Sequence, residues 1–134
     1  RSRRQRQMCI RDSNRIMATE RREFTKAEID FAWSIAKVAI GADKDKWRKD
    51  YAGAWICRDA YGDIKSEFGW EIDHQKPLAL DGTYDLANLV PMQWNNNRTK
   101  GDDYPTWKTS KTSFLDRNID DEKSWRESTN IDGK

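Results

Sequence analysis

One stretch of apolar residues, at positions 26–40, does most to limit the fold, because no other stretch has the length and pattern of a typical helix. Thr25 is followed three residues later by Glu28, the pattern of a capping box at a helix N-terminus, and Gly41 supplies a stop. The apolar residues in between cover a wide face, as is typical of a helix packed against a small sheet. We therefore predict a helix over residues 26–40 that contributes this face to the core.

Short extended segments separated by turn residues make up most of the sequence after this helix. Three such segments and one short helix are predicted, in chain order at residues 54–58, 70–74, 89–92 and 93–100. The charged residues 42–50 predict a loop or a short helical turn. The polar residues 103–134 predict irregular packing that ends in a frayed terminus. The whole pattern predicts an α+β chain in which an N-terminal helix precedes a short antiparallel hairpin.

Composition allows one modest core and excludes a membrane protein. Hydrophobic and charged residues each make up 36% of the 134 residues, and mean hydropathy is −1.08. The formal net charge is +2, but residues 1–16 hold six Arg and a single acidic residue. Without them 19 basic and 22 acidic residues remain, a net charge of −3. Bulk charge outside residues 1–16 therefore gives no argument for a nucleic-acid partner.

Residues 8–13, MCIRDS, resemble the in-frame translation of a transposase adapter used in sequencing libraries. The surrounding stretch is rich in Arg and Gln and shows no apolar periodicity. We expect residues 1–16 to be an artefact or a disordered leader, and the natural chain to begin at Met17. The alternative is a basic arm that contacts phosphate groups.

Cysteine content and the N-terminal sequence indicate a reducing compartment. Cys57 is the only cysteine outside residues 1–16, which excludes a disulfide framework. The N-terminal stretch also lacks the long apolar segment of a signal peptide. We expect the protein to work in the cytoplasm of a bacterial or phage-infected cell, with no membrane as partner.

The chain has a single histidine, His74, and this limits the active sites that it can build. Zinc sites with two His are excluded, Cys57 alone cannot supply a four-ligand site, and no glycine-rich phosphate loop is present. Asp73 stands beside His74, and an amide-rich cluster that includes Asn88 and residues 95–97 follows. Oxygen ligands with one imidazole favour a hard divalent cation. Phosphodiester hydrolysis needs a base and such a cation, and these residue types can supply both.

Residues 70–102 read WEIDHQKPLALDGTYDLANLVPMQWNNNRTKGD, and the segment carries a recognisable order of residues. The positions that match are Asp73, His74, Pro77, Asp81, Gly82, Asn88, Leu89, Pro91, Trp94, Asn97, Lys100, Gly101 and Asp102. This order resembles the HNH endonuclease motif of the ββα-metal fold. Residues 47–70 are similar to the lead-in of one bacterial branch of HNH proteins, so the resemblance covers residues 47–102.

The resemblance implies a ββα-metal unit and a role for four side chains: His74 as general base for water, Asp73 and Asn97 as ligands of one Mg²⁺ or Mn²⁺, and Asn88 as a hydrogen-bonding brace for the loop behind His74. Arg98 and Lys100 follow Asn97 by one and three residues, close enough to contact nucleic-acid phosphate. Because a neutral amide is a weaker ligand than a carboxylate, Asp73 should supply most of the attraction for the cation.

Many HNH relatives hold the motif together with two CxxC zinc knuckles, and this chain departs from that pattern. The corresponding positions hold one thiol and three other side chains: Cys57, Ala60, Gln93 and Asn96. We expect no structural zinc, and packing of three tryptophans in its place: Trp55, Trp70 and Trp94.

Four regions follow from these interpretations: the leader at 1–16, a helical segment at 17–46, the HNH core at 47–102 and a polar extension at 103–134. The predicted function is metal-dependent hydrolysis of phosphodiester bonds in DNA, with RNA as a further substrate class and a partner or larger assembly for targeting. One alternative is a catalytically silent module of the same fold that binds nucleic acid or protein. Another is an RNA-directed or toxin-like nuclease.

Overall fold

Residues 21–127 are described by a computed structural model of the protein, and they form two helices and six strands. The helices are α1 (Lys26–Ile35) and α2 (Trp94–Lys100). The strands are β1 (Trp47–Lys49), β2 (Trp55–Cys57), β3 (Trp70–His74), β4 (Leu89–Gln93), β5 (Thr106–Phe114) and β6 (Arg117–Arg126). They pair in chain order into three two-stranded antiparallel sheets. This mixture of helices and antiparallel strands confirms the α+β class.

Helix α1 begins where the sequence predicts and ends earlier. The hydroxyl of Thr25 accepts a hydrogen bond from the Glu28 amide at 3.1 Å, and the Glu28 carboxylate accepts one from the Thr25 amide at 2.9 Å, so the capping box is confirmed. The helix stops at Ile35, five residues before the predicted end. Neither helix within residues 21–127 is long and apolar enough to cross a membrane.

Pairing with β1 explains the early end of α1. Lys37 exchanges both backbone hydrogen bonds with Lys49, at 2.8 and 2.9 Å, which requires extended backbone after the helix. The Arg48 guanidinium donates to the last carbonyls of α1, those of Trp33 and Ser34, at 3.0 Å each. The helix therefore ends on a charged cap supplied by the next strand.

The apolar face of α1 is narrower than predicted. Ala32, Trp33 and Ala36 are buried, whereas three of the apolar residues expected on this face are exposed: Ile35, Val38 and Ile40. The buried side packs against β2, β3 and β4 in one core cluster, completed by Ile56, Trp70, Ile72 and Leu89. The rings of Trp33 and Trp70 lie 5.6 Å apart at its centre.

The middle of the chain follows the predicted order of two strands and a helix. In the register of β3 with β4, Trp70 pairs with Gln93 and His74 pairs with Leu89. Helix α2 follows β4 directly, and the Gln93 side chain caps it by accepting hydrogen bonds from the amides of Asn95 and Asn96. The predicted loop at 42–50 is wrong in part, because β1 lies within it and pairs with β2.

A long hairpin at the C-terminal side of α2 contradicts the predicted irregular packing of residues 103–134. Strand β5 pairs with β6 from Thr106 opposite Arg126 to Phe114 opposite Arg117. Trp107 and Thr109 face the inside of the molecule, where β5 packs on α2, and Lys108 between them is exposed. This alternation has the period of a strand that is buried on one side. Residues 128–134 lie outside the described part of the chain.

Asp50 is a buried carboxylate that connects three parts of the fold. One carboxylate oxygen accepts hydrogen bonds from the amides of Ala52 (3.0 Å) and Ala54 (2.9 Å) in the turn between β1 and β2. The other accepts from the Gln93 amide and from the Asn96 side chain, at 2.9 Å each. Burial raises the pKa of the Asp50 carboxyl, and the four donated hydrogen bonds oppose that rise.

Asn96 extends this connection to β5. Its amide nitrogen also donates to the Lys111 carbonyl at 3.1 Å, and its carbonyl oxygen accepts from the amides of Ser110 (2.9 Å) and Lys111 (2.7 Å). The strand register shifts between Thr109 and Lys111, at the point where these amides turn toward Asn96. All four hydrogen-bonding positions of the Asn96 side chain are thus used.

This polar cluster differs from the expected tryptophan packing at the positions of the zinc knuckles. Asn96 and the Gln93 backbone bind Asp50 there, and the Gln93 side chain caps α2. Of the three tryptophans, Trp70 lies in the core, whereas Trp55 and Trp94 donate their ring N–H groups to backbone carbonyls of surrounding loops. Hydrogen bonds to Asp50 thus connect Gln93 and Asn96, two of these four positions.

Replacement of Asn96 by alanine should lower the free energy of unfolding by about 3 kcal/mol or more, because the Ser110 and Lys111 amides would lose their acceptor and Asp50 a donor inside the protein. Urea denaturation at pH 7 measures the loss. Asn95→Ala is the matched control, since the Asn95 side chain accepts a single hydrogen bond, from Gln93. Equal losses in the two variants would contradict the central role of Asn96.

Glu28 predicts a pH-dependent contribution to stability. Its carboxylate binds the Arg22 guanidinium at 2.9 and 2.7 Å, which, with the hydrogen bond from the Thr25 amide, lowers the pKa of Glu28 from 4.5 to about 2. A lowered folded-state pKa stabilises the fold above pH 4.5, and this contribution disappears as pH falls through about 2.

Glu28→Gln keeps the cap but removes the charge. It should lower the free energy of unfolding by about 1 kcal/mol at pH 7, and the difference from the wild type should shrink steadily toward pH 2.5. Denaturation curves at several pH values check this. Asp30→Asn on the same helix is the control, because the ion pairs of Asp30 with Lys26 and Arg58 are more exposed. A pH-independent difference for Glu28→Gln would contradict the expectation.

Candidate active site

The side chains of Asp73 and His74 lie at the end of β3 and are both buried, at 6% and 7% exposure. They line a cavity of about 280 Å³ together with residues from the start of the described chain, from α2 and from the turn after α2: Arg21, Asn97, Arg98 and Asp102. The β3–β4 pairing fixes the strand end, and α2 crosses beside it. A carboxylate, an imidazole and an amide thus meet at one concave surface.

The Asp73 carboxylate forms an ion pair with Lys100, a residue that is only 1% exposed. The Lys100 ammonium lies 3.2 Å from one carboxylate oxygen and donates a hydrogen bond of 3.4 Å to the other. It also donates to the carbonyls of His74 (3.4 Å) and Gln75 (3.1 Å). Within residues 21–127, Asp73 Oδ2 is buried without a hydrogen bond of good geometry. Burial raises the pKa of Asp73 to about 7, against the opposing charge of Lys100.

Two aromatic rings contact the His74 imidazole, and within residues 21–127 no side chain or backbone group makes a hydrogen bond to it. The Phe24 ring centre lies 5.2 Å from that of His74, and the Tyr84 ring meets it edge to face at 4.6 Å. Its Nε2 is buried and has no hydrogen-bond partner in the described part of the chain. Burial, together with the charges of Arg21 and Arg22, lowers the pKa of His74 from 6.5 to about 4. The imidazole is therefore neutral at pH 7.

Glu71, two residues before Asp73 on β3, holds the two neighbouring side chains of α2. One of its carboxylate oxygens accepts a hydrogen bond from the Asn97 amide nitrogen at 2.9 Å. The other accepts from the Arg98 guanidinium, also at 2.9 Å. This contact fixes the Asn97 side chain by its nitrogen, and no residue among 21–127 donates to its carbonyl oxygen. Arg98 remains more than half exposed.

The Asn88 side chain makes hydrogen bonds across the loop that follows His74. Its side-chain oxygen accepts from the Lys76 amide at 2.8 Å, and its nitrogen donates to the carbonyls of Lys76 (3.1 Å) and Thr83 (2.9 Å). The Gln75 amide donates to its backbone carbonyl at 2.8 Å. The loop 75–88 is thereby closed directly behind His74.

The comparison with known proteins gives no further information about this site. No family model, no curated protein and no solved structure matches this chain. The geometry alone therefore locates the predicted residues. Four of the six line the cavity: Asp73, His74, Asn97 and Arg98. Lys100 lies behind Asp73 as its ion-pair partner, with its ammonium turned away from solvent, and Asn88 lies in the loop.

Several residues around the cavity were not predicted from the sequence. Glu71 could have been found, because strand alternation puts positions 71 and 73 on the same face. Asp102 belongs to the matched motif but received no role, and it lines the cavity. Phe24 and Tyr84 contact His74 from separate segments, and no local pattern predicts such contacts.

The oxygen donors at this cavity suit a hard cation but are few. Between residues 21 and 127, no three His, Cys, Asp or Glu side chains are close enough together to hold a metal ion. A cation would be held by one carboxylate oxygen of Asp73 and the carbonyl oxygen of Asn97. Mg²⁺ is often bound in this way, through one or two protein oxygens with water and substrate phosphate as the remaining ligands. The Oδ2 of Asp73, which is buried and lies beside the Lys100 ammonium without a hydrogen bond of good geometry among the described residues, agrees with such a role.

Asn88→Ala should loosen the loop 75–88, because it removes the three side-chain hydrogen bonds. We expect a loss of about 1–2 kcal/mol in the free energy of unfolding and faster hydrogen exchange at the Lys76 amide. Urea denaturation measures the loss of stability, and hydrogen exchange followed by NMR measures the change at the Lys76 amide. The Gln75 amide is the internal control, since its acceptor is the backbone carbonyl of residue 88. Unchanged exchange at Lys76 would argue against the bracing role of Asn88.

Proposed function

We propose that the protein is an HNH-type endonuclease that hydrolyses phosphodiester bonds in DNA with a divalent cation, and that β3, β4 and α2 form its ββα-metal unit. The observation that carries the proposal is the meeting of Asp73, His74 and Asn97 at one cavity. The order of two antiparallel strands followed directly by a helix agrees with such a unit. Chemistry that cuts a phosphodiester needs a base and a cation site side by side.

His74 is the general base in this proposal. Its imidazole is neutral at pH 7, because burial holds its pKa near 4, and it can therefore accept a proton. A water proton moves to the imidazole as the water oxygen forms a bond to phosphorus. The bond from phosphorus to the leaving oxygen breaks, and the leaving oxygen takes up a proton from solvent. The bound imidazolium then returns its proton to solvent, so that charge and atoms balance.

Asp73 and Asn97 are the protein ligands of the cation. When bound, Mg²⁺ or Mn²⁺ would neutralise charge on the phosphate and on the leaving oxygen. Glu71 orients Asn97 by holding its amide nitrogen, which leaves the amide oxygen for the cation. Lys100 opposes the rise in the Asp73 pKa that burial causes, and so favours the ionised carboxylate that a cation requires.

Arg98 is the residue best placed to contact phosphate from the protein side. Its guanidinium lies at the mouth of the cavity, is more than half exposed and is steadied by Glu71. Lys100, the other predicted contact, would reach a phosphate only by leaving Asp73, so its proposed role is to support that carboxylate.

Weak binding to free duplex DNA is part of the proposal. Outside residues 1–16 the chain has a net charge of −3, so its own attraction for a polyanion is small and sensitive to salt. Targeting is therefore assigned to a partner or a larger assembly. RNA contains the same phosphodiester linkage, and a substrate panel decides between the two nucleic acids.

Supercoiled plasmid cleavage by the full chain tests the proposal. Cutting should require Mg²⁺ or Mn²⁺ and stop in EDTA. His74→Ala, Asp73→Asn and Asn97→Ala should each lower the rate about 100-fold or more, because each removes a group that acts on the reacting phosphate or water. Asn95→Ala and Asp103→Asn are the matched controls, and both should cut at the wild-type rate.

Folding and substrate controls make the outcome decisive. Circular dichroism confirms that each variant is folded, and single-stranded DNA and RNA are tested beside the plasmid. Cleavage of RNA alone would replace DNA as the substrate. A folded wild type that cuts no nucleic acid in any divalent cation would rule out the nuclease and leave the silent binding module of the same fold.

A further inference from the structure

The chain segment just before α1 crosses the imidazole of His74. Three rings touch there: Phe24 lies 5.2 Å from His74, Tyr84 lies 4.6 Å from His74, and Phe24 and Tyr84 are 5.5 Å apart. The two aromatic residues come from segments 60 positions apart in sequence. Residues 22–24, here called the strap, therefore bring Phe24 against a side chain of β3.

Tyr84 fastens the strap in place. Its hydroxyl accepts a hydrogen bond from the Arg22 amide at 2.7 Å and donates one to the Arg22 carbonyl at 3.0 Å. The Arg22 guanidinium lies 3.9 Å above the Tyr84 ring and also binds the Glu28 carboxylate of α1. The strap is thus held at two points, the Tyr84 ring and the first turn of α1.

Ring packing is what orients the imidazole. The terminal torsion of a histidine side chain has broad, two-fold preferences, so a ring without hydrogen bonds can turn. No residue in the described range 21–127 makes a hydrogen bond to either ring nitrogen of His74. The ring contacts with Phe24 and Tyr84 limit this rotation. A general base must keep its nitrogen aimed at the water, and a small misplacement costs much of the rate.

We propose that Phe24 and Tyr84 are positioning residues that hold the His74 imidazole in its reactive orientation, and that the strap belongs to the active site. This inference rests on the proposed nuclease function for its kinetic part only. The orientation of the ring is a property of the free protein and can be measured without any substrate.

Phe24→Leu and Tyr84→Leu test the inference directly. Each should lower kcat of plasmid cleavage about tenfold to a hundredfold, while KM for DNA and the Kd for Mn²⁺ stay at wild-type values. Phe24→Tyr, which keeps the ring, should retain most of the activity. Tyr84→Phe keeps the ring contact but removes both hydrogen bonds to Arg22, and its loss should be smaller than that of Tyr84→Leu. Phe68→Leu and Tyr61→Phe, which change aromatic residues elsewhere, are the controls.

Nuclear magnetic resonance supplies the second readout. Because the chain has one histidine, the untagged protein gives a single set of imidazole signals. In the wild type these signals should be displaced by the neighbouring rings and show nuclear Overhauser contacts to Phe24 and Tyr84. Phe24→Leu removes one ring current in any case, so the readout is the nuclear Overhauser contact between the imidazole and Tyr84, which should weaken in Phe24→Leu and persist in the controls.

The two readouts separate the possible failures. An imidazole that keeps its Overhauser contact to the remaining ring in both leucine variants would overturn the positioning role, whatever the kinetics. Loss of that contact with unchanged kcat would also overturn it, since the orientation would then not matter for the reaction. A wild type that cuts nothing would refute the nuclease, and the signals would still decide whether the strap orients His74.

Discussion

The hydrogen bond that the Asn96 side chain donates to the buried Asp50 carboxylate holds the separate parts of this fold in register. Three two-stranded sheets have little surface to pack against one another, and this buried pair reaches all of them. Asp50 closes the β1–β2 turn and meets the end of β4, while Asn96 takes up the backbone of β5. A buried carboxylate is costly unless its oxygens are satisfied, and here every oxygen has two donors. Asn97, the next residue, reaches the cavity because Asn96 is fixed.

Local patterns were sufficient for the part of the chain around the cavity. Strand β3 lies within its predicted bounds, β4 and α2 are within one residue of theirs, and the capping box of α1 is present. Strand alternation, a proline and a glycine mark these boundaries, and all act over a few residues. The end of α1 and the β5–β6 hairpin could not be predicted in this way. The first depends on contacts with Arg48 and Lys49 of the next strand, and the second has many polar residues that a propensity argument assigns to a loop.

The candidate site, too, could be predicted from local patterns only in part. Asp73, His74, Asn97 and Arg98 share one cavity, as the spacing in the sequence implies. The burial of Lys100 was not predictable, because a lysine on a short polar helix is usually solvated and only the packing of α2 on β3 and β5 turns it inward. The aromatic contacts to His74 come from segments on either side of β3 in sequence, and no periodicity connects them.

Helix α2 has seven residues, which is too short to be stable by itself in water. Contacts with other parts of the chain hold it in position: Gln93 caps its start, and Asn96 and Thr99 bind Ser110 of the hairpin. The order of assembly follows from this dependence. Strands β3 and β4 can pair as soon as residue 93 is available, but α2 lacks its most extensive packing partner until β5 has formed. On a ribosome, the cavity would therefore take its final shape only after the hairpin has left the exit tunnel, so that a growing chain carries Asp73 and His74 before their surroundings are complete.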